Sequence, residues 1–379
     1  MHRQIYQNPT FRFGENHYLN ACVGNNGSPN INTYQLGYYE AAITLIENAK
    51  KSPFNSDSII YPIVFSARHA IELALKAQLP DLRTINARVN GKDFGAKPKP
   101  THSIKELWGE YKELSRVDVR YTPYIENMEG YVRDFYDVDD SGETFRYPEN
   151  LEEMRHLTEL GCINIGVFGD RFQQMYEIVE NLSYLTEFLS FEYREGTFLK
   201  GLSREQIEEI AKRLPHRENW KDDQFIVIRK MLMDEFGISS NTFTKTLNLI
   251  QNHREFASYI GMENSIAELD YTAMKRFLDL FTGYRTKFKT GDFVDVINDY
   301  ANAVCDELSA ANIYALAAIF DIAYFGLYTE AYERILEKKK KQDVFDLAFD
   351  DLSVARGIIP ERMKIALGWL GQKTLLKAF

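Results

Sequence analysis

From Ser58 to Leu79 the apolar residues Ile60, Ile63, Val64, Ala67, Ile71, Ala74, Leu75 and Leu79 recur mostly at three- and four-residue steps, so a helix gathers them on one face. A stripe of that length needs partner helices to cover it, and the flanking sequence supplies the same period. Tyr34 to Lys51 carries Leu36, Tyr39, Ala42, Ile43 and Ile46. Further helices are expected at 103–114, 123–135 and 170–193, with Pro80 ending the second one. Beyond residue 200 the pattern predicts helices over 203–213, 221–236, 241–259, 264–288, 292–309, 312–337, 343–356 and 360–377. Only 22 Gly and 11 Pro occur, too few and too clustered for the closely spaced turns of an all-β chain. The expected fold class is all-α.

A chain of 379 residues, 45% of them hydrophobic, holds two or three cores. Residues 1–32, with Asn25-Asn26-Gly27-Ser28-Pro29, show no sustained period and read as an irregular arm. Residues 33–195 form the first expected domain. Gly196 and Gly201 mark its end, and Ser203 with Gln206 makes a capping box that opens a second helical domain over 203–379. The stretch Asp81 to Pro100 is basic, holds Gly91, Gly95, Pro98 and Pro100, and reads as a long loop.

Charge and motif content exclude several classes. A net charge of −10 argues against a surface that grips nucleic acid all over, because counterion release needs a basic face. A local patch is still compatible: Arg83 to Lys105 has six Lys or Arg against one Asp, whereas Asp118 to Glu153 has eleven acids against three Arg. Cys22, Cys162 and Cys305 are odd in number and far apart, which fits buried thiols in a reducing compartment. Met1 to Thr10 lacks the apolar core of a signal peptide, and Ala310 to Tyr328, interrupted by Asn312 and Asp321, falls short of a membrane span. A cytoplasmic chain with no membrane contact is expected. Asp137-Val138-Asp139-Asp140-Ser141-Gly142 matches half of a calcium loop, but position twelve is Pro148 instead of Glu, so the run reads as an acidic turn. No phosphate-binding Gly loop, nucleophile elbow or zinc signature occurs, and no metal or cofactor is expected.

The run Ser66-Ala67-Arg68-His69-Ala70-Ile71-Glu72-Leu73-Ala74-Leu75-Lys76-Ala77, followed after a variable loop by Thr101-His102-Ser103-Ile104-Lys105-Glu106-Leu107, resembles the second helix and the next segment of HEPN domains. Phe145-Arg146-Tyr147-Pro148 looks like the Arg-Tyr-Pro element before the last helix in the nucleotidyltransferase-associated branch of that superfamily. The resemblance covers residues 30–195 and implies an up-and-down helical bundle, commonly a homodimer, from a prokaryotic defence or toxin-type system. Many such domains cut RNA without metal, using an Arg and a His four to six residues apart on one helix: imidazole moves the proton of a 2′-hydroxyl, and guanidinium holds the charge developing on phosphorus.

This sequence departs from that pattern. Its only such spacing is Arg12 to His17, in the Gly/Asn-rich arm and read as chance, and the helix after Arg146 offers Arg171 but no His. His102 and Arg146 remain as candidate catalytic residues, with Arg68 and Lys76 as RNA- or phosphate-binding candidates. The bland alternative makes His102 a helix cap, pairs Arg146 with the acidic turn, and leaves Arg68, Glu72 and Lys76 as a solvated stripe. Asn252-His253-Arg254-Glu255, Arg213 to Arg217 and Lys338 to Lys341 read as ordinary helix-end charges. The expectation is therefore a HEPN-like module that binds protein or RNA without the usual RNase pair. The alternatives are an active metal-independent ribonuclease with a displaced Arg/His site, or a helical scaffold with no nucleic-acid role.

Overall fold

The computed structural model describes residues 8–91, 100–149, 153–289 and 293–379. Among them every regular element is helical, and the only β features are isolated bridges at Glu149–Arg155 and Leu199–Leu202. The protein is all-α. The chain divides into two compact units, Met1–Ser190 and Phe191–Phe379.

In the first unit, α1 (Ile31–Lys51) starts two residues before the expected Thr33 because Asn30 and Thr33 cap each other reciprocally. The arm before it holds only short 3-10 turns at His17–Leu19 and Gly24–Asn26. α2 (Ser56–Asn90) is 35 residues long and contains both Pro62 and Pro80, so Pro80 does not end it. Pro80 removes the N–H that would reach the Lys76 carbonyl, at a cost of about 3 kcal/mol. The ring lies on the exposed side while the buried stripe continues through Leu82, Ile85 and Asn86. Burying Leu82 and Ile85 contributes roughly 1.5–3 kcal/mol each, which offsets that loss. Asn86 Nδ2 then ties the extension down by donating to Leu82 O at 3.0 Å and Leu114 O at 2.7 Å. The helix stops at Gly91, whose φ of 62° is left-handed. Residues 81–90 of the expected loop are thus helix, and Lys92, Lys97 and Lys99 of its basic run lie outside the described residues.

α3 (Ile104–Ser115), α4 (Thr122–Asp139) and α5 (Ile165–Glu195) complete the unit. α1 packs along α2, α2 along α3, and α3 along α4. The buried phenols between them are satisfied: Tyr111 Oη donates to Gln78 Oε1 at 2.8 Å, and Tyr121 Oη to Thr186 Oγ1 at 3.1 Å. α4 runs to Asp139, so Asp137 and Asp139 belong to a helical last turn and not to an acidic turn. The extension is held by Asp140, whose carboxylate accepts from Ser103 Oγ and from the Lys105 backbone N–H at 2.8 Å, at the N-terminus of α3.

The second unit holds α6 (Arg204–Arg213), α7 (Asp223–Glu235), α8 (Ser240–Asn252), α9 (Arg254–Tyr259), α10 (Tyr271–Phe288), α11 (Phe293–Glu307), α12 (Ala310–Tyr324), α13 (Ala331–Lys339), α14 (Val344–Asp346), α15 (Ile359–Trp369) and α16 (Lys373–Leu376). The expected capping box at Ser203 and Gln206 is present. Two expected long helices are broken and a third starts late. His253 is extended and caps α9, Asp270 starts α10, and the left-handed Gly326 separates α12 from α13. Two apolar cores result, one centred on Ile207, Phe243 and Phe256, the other on Phe277, Tyr300, Leu316 and Phe320.

Among the described residues one helical stretch, Pro53–Asn90, is long and apolar enough to cross a membrane, and 56% of its most apolar 18-residue segment is buried inside the protein. Cys22 and Cys162 are exposed and only Cys305 is partly buried, which corrects the expectation of three core thiols. Cys22 sits in the arm between its two 3-10 turns, and Cys162 just before α5.

Candidate functional site

The polar centre of the first unit forms where α2, the start of α3 and the end of α4 meet. Arg68 is 1% exposed. Its guanidinium donates four ways: Nε to Asp139 O at 3.0 Å, Nη1 to Glu72 Oε2 at 2.6 Å, and Nη2 to both Asp140 O at 2.5 Å and His102 O. These carbonyls lie where helices end or have not begun, so they lack intrahelical donors, and the planar fork of Arg68 satisfies them. Arg68 is therefore not open to an incoming phosphate, nor part of a solvated stripe, because every donor edge is engaged inside the protein.

Glu72, also 1% exposed, is the hub. Oε1 accepts from Lys76 Nζ at 2.7 Å and lies 2.8 Å from His102 Nδ1; Oε2 takes the Arg68 bond and lies 3.7 Å from His69 Nδ1. Burial alone would raise its pKa. The hydrogen bonds from His69, Lys76, Arg68 and His102 outweigh that and hold the carboxyl well below the usual range. An ionised carboxylate only accepts, so His102 Nδ1 carries the hydrogen and Nε2 is the edge left for solvent. The His102 side chain is 72% exposed, that of Lys76 27%, that of His69 23%. Reactive edges thus face outward while the charge that orients them is buried.

Arg146 joins the same site from the segment before α5. Its Nε donates to Gly142 O at 2.5 Å, and its guanidinium lies 5.6 Å from the ring centres of both Phe65 and Tyr147. Phe65 stacks on His69 at 5.7 Å, and Tyr38 meets the same imidazole edge-on at 4.4 Å. Gly142, which accepts from Arg146, is packed against the Arg68 guanidinium. His102 and Lys76 are hence brought to one centre on Glu72 with Arg68 beneath them, and Arg146 reaches its edge through Gly142 and Phe65. Ser103, not His102, caps α3, and Arg146 holds a carbonyl of the turn instead of a carboxylate. His69 is the residue that sequence reasoning passed over. The available signal was its place three before Glu72 and four after Phe65 on one helical face.

Other candidates are engaged elsewhere. Arg12 and His17 are exposed in the arm, and Arg171 pairs with Asp134 over the Tyr131 ring. In the second unit, Arg204 pairs with Glu330 and Glu255 between the rings of Phe256 and Tyr328. His253 Nδ1 accepts from Phe256 N, and its Nε2 lies 3.0 Å from Glu330 Oε1 in poor alignment. Arg254 binds the Asn264 and Ser265 carbonyls and Glu333. Lys339, expected on a solvated helix end, is 7% exposed and lies between Asp321 and Asp351. Among the described residues no group of three or more His, Cys, Asp or Glu is arranged to hold a metal ion.

No protein-family profile matches the chain, and no match is found among curated proteins or solved structures.

Proposed function

We propose that residues 33–195 are a HEPN-like helical module that binds single-stranded RNA through its phosphodiester backbone at the Glu72 centre, within a prokaryotic defence or toxin-type system. The observation that carries this reading is the set of Lys76, His69 and His102 around one buried carboxylate, with the exposed Arg146 lying 5.6 Å from the ring of Phe65, which stacks on His69, and from the exposed ring of Tyr147. Cationic groups interleaved with aromatic faces suit a strand whose phosphates need charge and whose bases stack without sequence preference. The defence setting rests on the resemblance of Arg68 to Lys76, His102 and Arg146 to the superfamily.

The test is fluorescence anisotropy with a labelled oligouridylate at several salt concentrations. Lys76→Ala and Arg146→Ala are each expected to weaken binding by about tenfold and to lower the salt dependence by about one unit. Unchanged affinity in both variants removes the site from the reading.

Metal-independent cleavage is a second reading, favoured by one specific feature. Glu72 fixes His102 in a single tautomer with Nε2 outward, the arrangement a carboxylate-oriented general base needs. His69 on the same carboxylate can supply the acid for the departing 5′-oxygen. Cleavage of the oligouridylate in excess chelator, lost in His102→Ala, supports it, whereas an intact strand after prolonged incubation leaves binding alone.

A further inference from the structure

The first unit also contains a cavity of about 310 Å³ that the RNA reading does not use. Residues of α4, of the segment before α5 and of the start of α5 line it, among them the rings of Tyr131, Phe135, Phe145, Phe168 and Phe172. Phe145 and Phe172 are buried, whereas Val138, Leu160 and Val167 on the same lining are exposed, so an apolar surface runs from the core out to solvent. An apolar cavity of about 150 Å³ already takes up benzene, and this one has room for two fused rings.

The lining rings stand at fixed angles to one another. Phe168 meets Phe135 at 5.9 Å and 63°, and Phe172 at 6.2 Å and 13°. A planar ring entering among them finds both edges and faces, the two arrangements that aromatic pairs prefer. A saturated molecule of the same volume gains the burial without the ring pairing. Charge is not rewarded there. The exposed Arg171 and Asp134 pair with each other, and Arg171 lies over the Tyr131 ring. Asp139 offers no reachable carboxylate, because Oδ1 accepts the Thr144 N–H at 3.2 Å and Oδ2 is buried. An ion entering the cavity gives up hydration and meets no unpaired counter-charge in return.

We infer that this cavity is a binding site for a small, uncharged bicyclic aromatic molecule, held among the five aromatic side chains. Its binding removes apolar surface from water on both partners and adds ring-to-ring contacts that the empty volume lacks. A cation or an anion built on the same ring system binds more weakly, whichever its sign.

The probe is indole, titrated calorimetrically into the full-length protein, with tryptamine and indole-3-acetate as its charged counterparts and 2-decalone as a saturated, uncharged bicycle. One indole is expected to bind per chain with a Kd below about 1 mM. Tryptamine and indole-3-acetate are each expected to bind at least about tenfold more weakly, and 2-decalone about threefold to tenfold more weakly. Val167 and Leu160 are exposed members of the lining, so Val167→Trp and Leu160→Trp each fill the site from its solvent side and are expected to weaken indole at least about tenfold. Circular dichroism identifies the variants that remain folded, and two positions are used so that one misfolded variant does not decide the matter. Indole failing to bind at millimolar concentration overturns the inference, as does unchanged indole affinity in a folded variant, or equal binding by either charged analogue or by the saturated one. RNA affinity is measured separately, so the Glu72 reading stands or falls on its own result.

Discussion

Gly142 lies against the guanidinium of Arg68, where a Cβ would sit 2.7 Å from Nη1, and its φ of 81° is left-handed. Gly142→Ala therefore meets two penalties at once, backbone strain and a collision with a side chain that four hydrogen bonds hold in place. The expected loss is about 1–3 kcal/mol, read as a fall of several degrees in the thermal midpoint. An unchanged midpoint means that the Arg68 cluster yields more readily than its hydrogen bonds suggest.

Glu72 links stability to pH. Its folded carboxyl binds a proton more weakly than an ordinary Glu, so its contribution is complete above the unfolded value of about 4.5 and is lost as pH falls through the lower folded value. Glu72→Gln leaves the Arg68 charge buried without its counter-ion and is expected to cost about 3 kcal/mol at pH 7. Urea denaturation from pH 7 down to about pH 3 should show the gap between variant and parent closing on the acid side. A constant gap argues against an ionised Glu72.

Pro80 offers the opposite test. It sits on the exposed side of α2, and restoring an N–H there returns a hydrogen bond to the Lys76 carbonyl. Against this, the unfolded chain regains the freedom that the ring removes, worth about 1 kcal/mol. Pro80→Ala is expected to stabilise the protein by about 1–2 kcal/mol net. A lower melting temperature indicates a kink in α2 that the packing requires.

The cysteines separate by accessibility. Cys22 and Cys162 are expected to react with a thiol-specific disulfide reagent in the native state. Cys305 is expected to lag, because burial, with Asp343 and Asp306 adding to it, pushes its thiol up. Three equal rates contradict this placement.

The helical class was legible because a period of three and four residues reports local geometry directly. The stripe is buried from Ile63 to Leu79, as the period placed it, with Ile60 left half-buried at its start. Boundaries were less legible wherever a tertiary contact overrode a local signal. Pro80 reads as a stop, yet Leu82, Ile85 and the Asn86 bond to Leu114 O carry the helix past it. Within the candidate site the sequence pointed to His102, Arg146, Arg68 and Lys76, but not to their different stations. Whether an Arg ends in solvent or in the core depends on carbonyls 34 to 72 residues away, and no local pattern encodes that. His69, by contrast, was legible locally, three before Glu72 and four after Phe65 on one helical face.

The reach of Arg68 bears on how the module folds as well as on how it stands. Its bonds to the His102, Asp139 and Asp140 carbonyls close loops of 34, 71 and 72 residues. Loops of that length are closed by docked helices, so this guanidinium locks late, after the bundle has condensed. Weakening it, as in Arg68→Lys, is thus expected to act on the unfolding limb of a chevron plot and to leave the folding rate nearly unchanged. Arg68 would then set how long the module stays folded more than how quickly it gets there.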